Sequence, residues 1–357
     1  MKQKLKLLVI VLGVALFAAL ALKSLRVDAQ TQTVTAGQKF KNIKVLTDMP
    51  ADQMGQVMNM MSASLGFNCA GCHAAGDKDF EKDTNDHKLA ARKMLEMTFA
   101  LNKQFFEGKP EVSCNTCHNG RERPVAVPNL LPTAPVERPK QPAVKPLIDD
   151  ILTKYAASIG TKDSLAKVAS RQIKANRIET DGKTIEPEEI WQKGGKFRSE
   201  LKYADYVVTE VFDGKSAWKR GGNDPIELKA SEIDQIKRDA MLFANPDLKS
   251  VYAKLDYRFM DRIDGRDVYI VQATTADNQR ERLVFDVATG SLVRRIASSM
   301  TILGQFQYQV DYSDFKDFGG VKLPATTRFA VPNISWVRKI TEVKNVAVDD
   351  SKFAQPK

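Results

Sequence analysis

Two short cysteine motifs constrain this chain of 357 residues more than any other feature of its sequence. Both read Cys-x-x-Cys-His, at residues 69–73 and 114–118, and together they hold all four cysteines and two of the three histidines. In a helical turn, residues i, i+3 and i+4 lie close together on one side. Two thiols can therefore bond to one edge of a porphyrin while the following histidine reaches the iron, and this spacing is the attachment signal for c-type haem.

Three other uses of paired cysteines fit the sequence less well. A disulfide framework does not require a histidine after each pair, and a thioredoxin-like redox site needs one motif in a βαβ context. A four-cysteine zinc site would leave both histidines as coincidences. The sequence therefore predicts two covalently bound haem c groups. The predicted attachment residues are Cys69, Cys72, Cys114 and Cys117, and the predicted iron ligands that follow them are His73 and His118.

Methionines are concentrated beside these motifs, with seven of the eleven between residues 49 and 97. Apolar periodicity predicts a helix before each motif, one opening at Pro50 and reaching Leu65, and one over residues 88–106. A methionine stripe on a helix usually fills gaps in a core. Because each of these helices precedes a Cys-x-x-Cys-His motif, one methionine per helix is a candidate iron ligand, although periodicity alone does not choose which one.

Residues 40–124 resemble the haem-binding repeats of the cytochrome c subunit of photosynthetic reaction centres and of its relatives in non-photosynthetic bacteria. The resemblance rests on the stretches 45–48, 91–98 and 112–120. In that family the sixth iron ligand comes from a helix before each motif. By position, the resemblance implies Met58 for the first haem and Met94 for the second, with Met61 and Met97 as reserve candidates.

The chain also departs from that family in two ways. The tetrahaem subunit has four attachment sites, whereas this sequence has two. One haem of the family has two histidine ligands, but no histidine lies between Met97 and Cys114. The third histidine, His87, is predicted to be a solvated residue at the start of the second helix rather than an iron ligand.

These residues predict an exported dihaem c-type cytochrome that transfers electrons, and not an enzyme. An iron with histidine and methionine ligands has no open position for a substrate. Two alternatives stay open at this point: a dihaem peroxidase-like enzyme with one open iron position, and a lipid- or partner-binding β domain with accessory haems. The predicted partners are redox donor and acceptor proteins, membrane-bound ones included.

The N-terminus has the pattern of an export signal, with three lysines before an apolar run at residues 7–22 and small residues before the cleavage position. This pattern predicts a signal peptide at residues 1–29 and a periplasmic or exported protein, free or membrane-associated. An uncleaved anchor is the alternative, but the apolar run is short for a bilayer. The net charge of +10, which lies partly in this segment, is too small to predict nucleic-acid binding.

The composition changes after the second motif, because seven of the 15 prolines lie at residues 124–146. Such a stretch is extended and semi-rigid. The predicted organisation is a signal peptide (1–29), a dihaem cytochrome c domain (30–123), a proline-rich linker (124–146) and a β-rich domain (147–357). The predicted fold class is α+β, with a mainly α-helical first domain and a mostly antiparallel, curved β-sheet with a few helices. Residues 30–146 are expected to contain the complete redox apparatus.

The C-terminal half has the pattern of an antiparallel sheet. Asp-Gly pairs at 181, 213 and 264 predict hairpin turns. Helices are predicted over residues 148–159 and from residue 231, and strands over 268–274, 282–287, 292–296, 305–312 and 336–346. This half is similar to the LolA-like fold of lipoprotein carriers, which implies a concavity for an apolar ligand or a docking surface. It contains no histidine or cysteine, and the paired acids at 188–189 and 349–350 are predicted to be solvated.

Overall fold

The N-terminal part of the protein contains four described helices, which we number in chain order. They are α1 (Ala36–Lys39), α2 (Met54–Leu65), α3 (Asp86–Phe105) and α4 (Cys114–His118). The computed structural model describes residues 33–73, 80–124, 139–168, 170–221, 225–228, 236, 238, 243 and 246–356. The helices expected before the two motifs are confirmed as α2 and α3, whereas the predicted signal peptide lies outside the described residues.

Local sequence signals set the ends of both long helices. A 3-10 turn at Ala51–Gln53 follows Pro50 and leads into α2. This helix ends at Gly66, whose φ of +71° lies in the left-handed region that glycine adopts without steric cost. The side chain of Asn85 caps α3 by accepting a hydrogen bond from the His87 backbone N–H at 2.9 Å. These ends place the two motifs directly beyond the helices.

Beyond the proline-rich stretch lie α5 (Ile148–Ile159), α6 (Lys162–Lys167) and the strands of one large sheet. The described strands are β1 (Ser170–Ile178), β2 (Ile185–Lys193), β3 (Lys196–Lys202), β4 (Val207–Phe212), β5 (Ala217–Gly221), β6 (Ile226–Glu227), β7 (Lys254–Ile263), β8 (Arg266–Thr274), β9 (Arg280–Asp286), β10 (Leu292–Thr301), β11 (Gly304–Asp317), β12 (Lys322–Val331) and β13 (Ile334–Lys344). Their order in the sheet is β6-β5-β4-β3-β2-β1-β13-β12-β11-β10-β9-β8-β7, and every neighbouring pair is antiparallel. The sheet is therefore two meanders joined where β1 pairs with β13.

The strand and turn signals of the sequence are confirmed in this sheet. Gly182, Gly214 and Gly265 have φ values of +69°, +101° and +76° in the turns that follow β1, β4 and β7. The predicted strands correspond to β8, β9, β10, β11 and β13. The α+β class and the mainly antiparallel sheet are confirmed, while most of the helix predicted from residue 231 lies outside the described residues.

One face of the sheet buries α5, which was expected from the sequence. Its inward stripe includes Ile151, Tyr155 and Ile159, at the i, i+4, i+8 spacing of one helix face. The Tyr155 ring meets Phe285 of β9 edge-to-face at 5.4 Å. Burial of this stripe against the strands forms the largest apolar cluster of the described chain and fixes the helix on one side of the sheet.

The helical part contacts one end of the sheet. Leu303, in the turn between β10 and β11, is only 3% exposed and packs into the apolar cluster that contains Val57 and Leu95. The Thr301 hydroxyl donates to the sulfur of Met60 at 3.4 Å. The hairpin that joins β10 and β11 therefore touches α2 directly.

The end of the proline-rich stretch is attached to an edge strand. The Gln141 side chain accepts a hydrogen bond from the Met260 backbone N–H at 2.8 Å and donates to the Met260 carbonyl at 2.7 Å. Because Met260 lies in β7, the last strand of the sheet, the amide satisfies groups that an edge strand leaves unpaired. Across the described ranges, no helix has the length and apolar character needed to cross a membrane.

Candidate haem sites

The first Cys-x-x-Cys-His motif forms a tight turn after α2. A 3-10 turn spans Cys69–Gly71, and the backbone N–H groups of Cys72 and His73 both donate to the Cys69 carbonyl, at 3.2 and 2.9 Å. This turn brings residues i, i+3 and i+4 together, as covalent attachment requires. Burial raises the pKa of the Cys72 thiol, and the charge of Cys69 raises it further.

This turn borders a cavity of about 700 Å³ whose wall is mostly apolar. Helix α2 contributes Met54, Met58 and Met61, and α3 contributes Leu95. Cys69, Cys72 and His73 line the same cavity. A space of this kind, with two thiols, one imidazole and thioether sulfurs, has the donor set of a covalently bound haem with histidine and methionine ligands.

The imidazole of His73 has an environment that favours its neutral form. Burial lowers its pKa, the positive charge of Lys88 lowers it further, and the Phe80 backbone opposes the shift. The Phe80 ring meets the imidazole edge-to-face at 5.1 Å. Since neutral imidazole is the form that binds a metal, this environment suits His73 to an iron ligand.

A cluster of cations lies on the rim of the first cavity. The Lys88 ammonium donates to the Phe80 carbonyl at 3.0 Å and pairs with Asp83 at 2.9 Å, and the Arg92 guanidinium binds both oxygens of Asp83 at 2.8 and 2.9 Å. The hydrogen bonds from Arg92, Asn42 and Lys88 hold the pKa of Asp83 well below its usual range. Lys88 and Arg92 thus carry one more positive charge than Asp83 neutralises, and both side chains line the first cavity.

The second motif is the short helix α4. Its N-terminus has a capping box, in which the Ser113 backbone N–H donates to the Thr116 hydroxyl at 3.0 Å. The His118 Nδ1 lies 3.0 Å from the Arg121 carbonyl oxygen. Because a carbonyl only accepts, Nδ1 carries the proton and Nε2 is left with its lone pair for a metal. Burial raises the pKa of the Cys114 thiol.

Asn102 fixes the second motif against α3. Its side-chain amide donates to the Val112 carbonyl at 2.7 Å and its oxygen accepts from the Val112 N–H at 2.9 Å. Asn102 is only 5% exposed, on the same face of α3 as Leu95 and Thr98. Asn102 therefore attaches α3, the helix that carries Met94 and Met97, to Val112, two residues before Cys114.

The two motifs are neighbours in space. The Gly120 N–H donates to the Ser64 carbonyl at 2.9 Å, and a Cβ on Gly66 would lie 2.6 Å from the Gly120 carbonyl oxygen. His87 lies between them, with Nδ1 at 2.9 Å from the Gly71 oxygen and Nε2 at 3.5 Å from Glu122. The end of α2 and the two glycines thus hold the second motif close to the first.

The predicted methionine ligands occupy different surroundings. Met58 lines the first cavity together with Met61, so both remain within the same space as His73. Met94 and Met97 lie on α3 and are 42% and 46% exposed. The geometry of the described chain therefore does not choose between Met58 and Met61, or between Met94 and Met97, as the iron ligand. Only the family resemblance favours Met58 and Met94.

The wall of the first cavity also includes two residues that the sequence did not indicate, Asn333 and Ile334. They lie at the turn between β12 and β13, and Asn333 forms a side-chain hydrogen bond with Asn59 of α2. Residues 30–146 were expected to contain the complete redox apparatus, whereas two residues of the sheet also line the first cavity. Because these residues are more than 250 positions from the motif in sequence, only the sheet topology reveals their place.

One acid of the sheet, Glu188, is buried and not at its predicted surface position. Glu188 is 4% exposed and accepts hydrogen bonds from Arg338 at 2.6 and 2.7 Å and from Ser199 at 2.7 Å. Burial opposes its ionisation, but Arg338 outweighs this effect and the pKa of Glu188 is lowered. Asp350, by contrast, lies at the surface and pairs with Lys193. The prediction for Glu188 was wrong because its β2 face is covered.

The fold and the motifs define an α+β protein whose helical part carries two neighbouring Cys-x-x-Cys-His motifs at one end of an antiparallel sheet. Residues 18–152 match the model of the family described as photosynthetic reaction centre cytochrome C subunit. The resemblance inferred from the sequence is confirmed for this part of the chain.

Two curated proteins show how much of the chain this similarity covers. The photosynthetic reaction center cytochrome c subunit of Roseobacter denitrificans is 30% identical over 93 residues, which are 24% of this chain and 25% of that protein. Cytochrome c-554 of Chloroflexus aurantiacus is 34% identical over 105 residues, 26% of this chain and 25% of that protein. The chain therefore spans about a quarter of the length of these relatives.

Solved structures match a different share of the chain. A LolA superfamily protein from Nitrosomonas europaea is 16% identical with a TM-score of 0.41, covering 58% of this chain and 97% of that one. A DUF1329 family protein from Desulfovibrio piger is 13% identical with a TM-score of 0.43 and covers the same shares.

Proposed function

We propose that this protein is an exported dihaem c-type cytochrome that transfers electrons between redox partner proteins. The observation that carries the proposal is the pair of neighbouring Cys-x-x-Cys-His turns, the first of which opens onto a cavity lined by Met58. The match of residues 18–152 to a cytochrome family supports the same class of function. The signal peptide, the domain boundaries and the periplasmic or exported location belong to this proposal.

The residues of the chain have distinct roles in this proposal. Haem c, when bound, supplies reversible one-electron chemistry at its iron. Cys69 and Cys72 would hold the first haem through thioether bonds and His73 and Met58 would bind its iron. Cys114, Cys117, His118 and Met94 would do the same at the second site.

The surroundings of the ligands prepare them for this work. The Arg121 carbonyl holds the proton of His118 on Nδ1, which directs Nε2 to the iron. The buried position of His73 favours its neutral form. Lys88 and Arg92 line the first cavity and are placed to receive a haem carboxylate, since together they carry one more positive charge than Asp83 neutralises. The apolar walls exclude water and keep the local dielectric low.

The proximity of the motifs supports an internal relay between two irons. Gly120 contacts the end of α2, and His87 bridges the first motif and the chain beyond the second. Because both sites are built on α2, α3 and the turns beyond them, their separation is fixed by packed elements rather than by a flexible loop. A fixed separation suits electron transfer between the haems.

A dihaem peroxidase is the competing enzyme class, and it needs one iron with an open or displaceable position. Visible spectra and a redox titration of the purified protein distinguish the two classes. We expect two c-type haems, both six-coordinate and low-spin at rest, and no reaction of the reduced wild type with carbon monoxide. Rapid carbon monoxide binding at one haem of the wild type would favour the peroxidase.

The sheet contributes to the first site in this proposal. Asn333 and Ile334 close part of its cavity, and Leu303 anchors the neighbouring hairpin in the apolar cluster beside it. We therefore infer that the β-rich half is a structural component of the first haem site and not only an independent module. This role is compatible with ligand binding elsewhere on the sheet.

A further inference from the structure

Lys88 lies in the first turn of α3, where a positive charge is unfavourable. The dipole of a helix favours negative charge at its N-terminus, and Asp86 in the same turn provides it. The Lys88 side chain is only 13% exposed, so its ammonium is not simply solvated. The position of this lysine in the helix therefore does not explain its burial, whereas its contacts do.

The Lys88 ammonium lies inside the loop that precedes α3. It donates to the carbonyl oxygens of three consecutive residues, Phe80 at 3.0 Å, Glu81 at 3.1 Å and Lys82 at 2.6 Å. It also pairs with the Asp83 carboxylate at 2.9 Å. An ammonium has three N–H donors, and carbonyl and carboxylate oxygens are the groups with which proteins bind hard metal cations. The loop therefore surrounds a cation that belongs to the chain itself, in the way that other loops surround a metal ion.

Further contacts hold this loop from its other side. Arg92, one turn after Lys88 on α3, binds both oxygens of Asp83 at 2.8 and 2.9 Å and donates to the Asn42 carbonyl at 3.2 Å. The Asn42 side-chain amide donates to the Glu81 carbonyl. The loop is thus fixed both to α3 and to the chain before α2.

The loop meets the imidazole of the first motif at Phe80. The Phe80 ring lies edge-to-face on His73, with 5.1 Å between the ring centres. The Phe80 backbone also opposes the lowering of the His73 pKa, which is the effect of a carbonyl that faces a ring N–H. The Nδ1 atom of His73 is buried and forms no hydrogen bond within the described parts of the chain. The Phe80 carbonyl is therefore close to an imidazole whose Nδ1 still needs an acceptor.

The second motif shows what such an acceptor does. There, Nδ1 of His118 lies 3.0 Å from the carbonyl oxygen of Arg121, which is three residues further along the same turn. Phe80 lies seven residues after His73, so a loop has to bring its carbonyl back to the imidazole. A carbonyl on a loop needs a support that a carbonyl next to α4 does not, and Lys88 provides it.

We propose that Lys88 is a positioning residue of the first haem site, a built-in cation that holds the preceding loop so that the Phe80 carbonyl accepts a hydrogen bond from Nδ1 of His73. This role rests on the proposed function, because it concerns the histidine that would bind the first iron. The carbonyl fixes the proton on Nδ1 and the orientation of the ring, which directs Nε2 to the iron. The charge of Lys88 still acts on the cavity, while its N–H groups hold the loop.

The test follows the Nδ1 protons of the two ligand histidines by nuclear magnetic resonance. It uses the full-length, haem-loaded protein with isotope-labelled histidine in the reduced state, in which low-spin iron has no unpaired electron. In the wild type both protons should exchange slowly with solvent, because each is held on a carbonyl. Lys88→Met should speed the exchange at His73 by about tenfold or more and leave His118 unchanged, since one hydrogen bond is lost. The His118 signal is identified as the one that Cys114→Ser/Cys117→Ser removes.

Lys103→Met is the matched control. It removes the same charge from an exposed position in the last turn of α3, outside the first cavity, and should change neither exchange rate. An unchanged rate at His73 in Lys88→Met would overturn the proposal. Equal acceleration at both histidines would also overturn it, because that result means general loosening of the protein rather than positioning of one imidazole.

A milder variant serves if Lys88→Met does not acquire its first haem. Lys88→Gln keeps two N–H donors without the charge, and it should still speed the exchange at His73; an unchanged rate would overturn the proposal. Rapid exchange at His73 in the wild type would overturn it as well. Haem counting separates this result from the proposed function, since a protein without c-type haem contradicts that function. A dihaem protein with rapid exchange at His73 contradicts only the role of Lys88.

Discussion

At the scale of single residues, each motif places two thiols and one imidazole on a single backbone turn. The two motifs reach this result with different backbone geometry, a 3-10 turn at Cys69–Gly71 and a helical turn at Cys114–His118. In both, the i, i+3, i+4 spacing brings the two thiols and the histidine together. The proposed sulfur ligands lie on the preceding helices α2 and α3, and on α2 Met58 lines the first cavity whereas Met60 contacts Thr301.

Met58→Ala tests the proposed sixth ligand of the first haem. We expect the reduced variant to bind carbon monoxide at one haem and to show a changed potential for that haem, because the thioether is lost. The matched control is Met60→Ala, two residues along α2, whose sulfur contacts Thr301 and which does not line the cavity. If Met61→Ala opens the iron and Met58→Ala does not, the assignment of Met58 is wrong.

Asp83 gives a pH-dependent prediction, because its pKa is lowered by hydrogen bonds from Arg92, Asn42 and Lys88. A carboxyl with a depressed folded-state pKa stabilises the protein above its ordinary pKa of about 4, and the stabilisation is lost as the pH falls below that value. Asp83→Asn should therefore be less stable than the wild type at pH 7.

The difference in unfolding midpoint between Asp83→Asn and the wild type should shrink as the pH is lowered through about 4. Thermal unfolding of both proteins from pH 7 to pH 3 measures it. The control is Asp205→Asn, at an exposed position, whose difference in unfolding midpoint from the wild type should not change with pH in this way. A constant difference across this range would show that the carboxylate charge does not carry the effect.

At the scale of secondary-structure elements, two hairpins of the sheet approach α2. The β10–β11 turn inserts Leu303 into the apolar cluster, and the β12–β13 turn brings Asn333 and Ile334 to the first cavity. Because β10 to β13 are consecutive neighbours in the sheet, both turns lie at the same end of it. The sheet thereby forms part of the wall of a cavity whose proposed iron ligands all come from the helical part.

Ile334→Asp tests this wall. A negative charge there should stabilise the oxidised, more positive iron of the first haem and lower its potential by roughly tens of millivolts. The potential of the second haem should not change. Redox titration with visible spectra measures both, and Ile226→Asp, at the far edge strand β6, is the control. Equal shifts in both variants would mean that the hairpin has no special place at the haem.

The sequence predicted local features better than long-range ones. The helices α2 and α3, the Asp-Gly turns and the alternating strands follow from signals within a few residues, and each is present. The sequence alone could not place Ile334 at the first cavity, because its position there depends on the order of the strands in the sheet. Glu188 was predicted to be solvated because it lies in a charged stretch, but Arg338, 150 residues away, provides its buried partner. The cationic rim at Lys88 and Arg92 had a local signal, a basic pair at i and i+4 on α3.

At the scale of the whole molecule, the two halves share an interface while their chemistry stays separate. All histidines and cysteines lie before residue 119, whereas the sheet supplies Leu303, Asn333 and Ile334 to the contact. The linker end is fastened to β7 through Gln141. The proposed haem attachment residues therefore all lie in the helical part, while the sheet forms part of the wall of the first cavity.

A fragment of residues 30–146, exported with the haem-attachment machinery, tests this division. We expect it to keep both covalent haems, because the attachment residues are all present, but to show a shifted potential and increased carbon monoxide reactivity at the first haem. The second haem should match that of the full chain. Failure of the fragment to mature would mean that the sheet is required to form the first site, and identical behaviour of both haems would mean that the hairpins do not contribute.

The central claim, two covalent haems on two motifs, is tested most directly by counting haem that resists extraction with acidified organic solvent. Pyridine haemochrome spectra of the extracted full-length protein should give two c-type haems per chain. The double variants Cys69→Ser/Cys72→Ser and Cys114→Ser/Cys117→Ser should each retain one. Complete loss of haem from the wild type on extraction, or stoichiometric zinc in its place, would contradict the account.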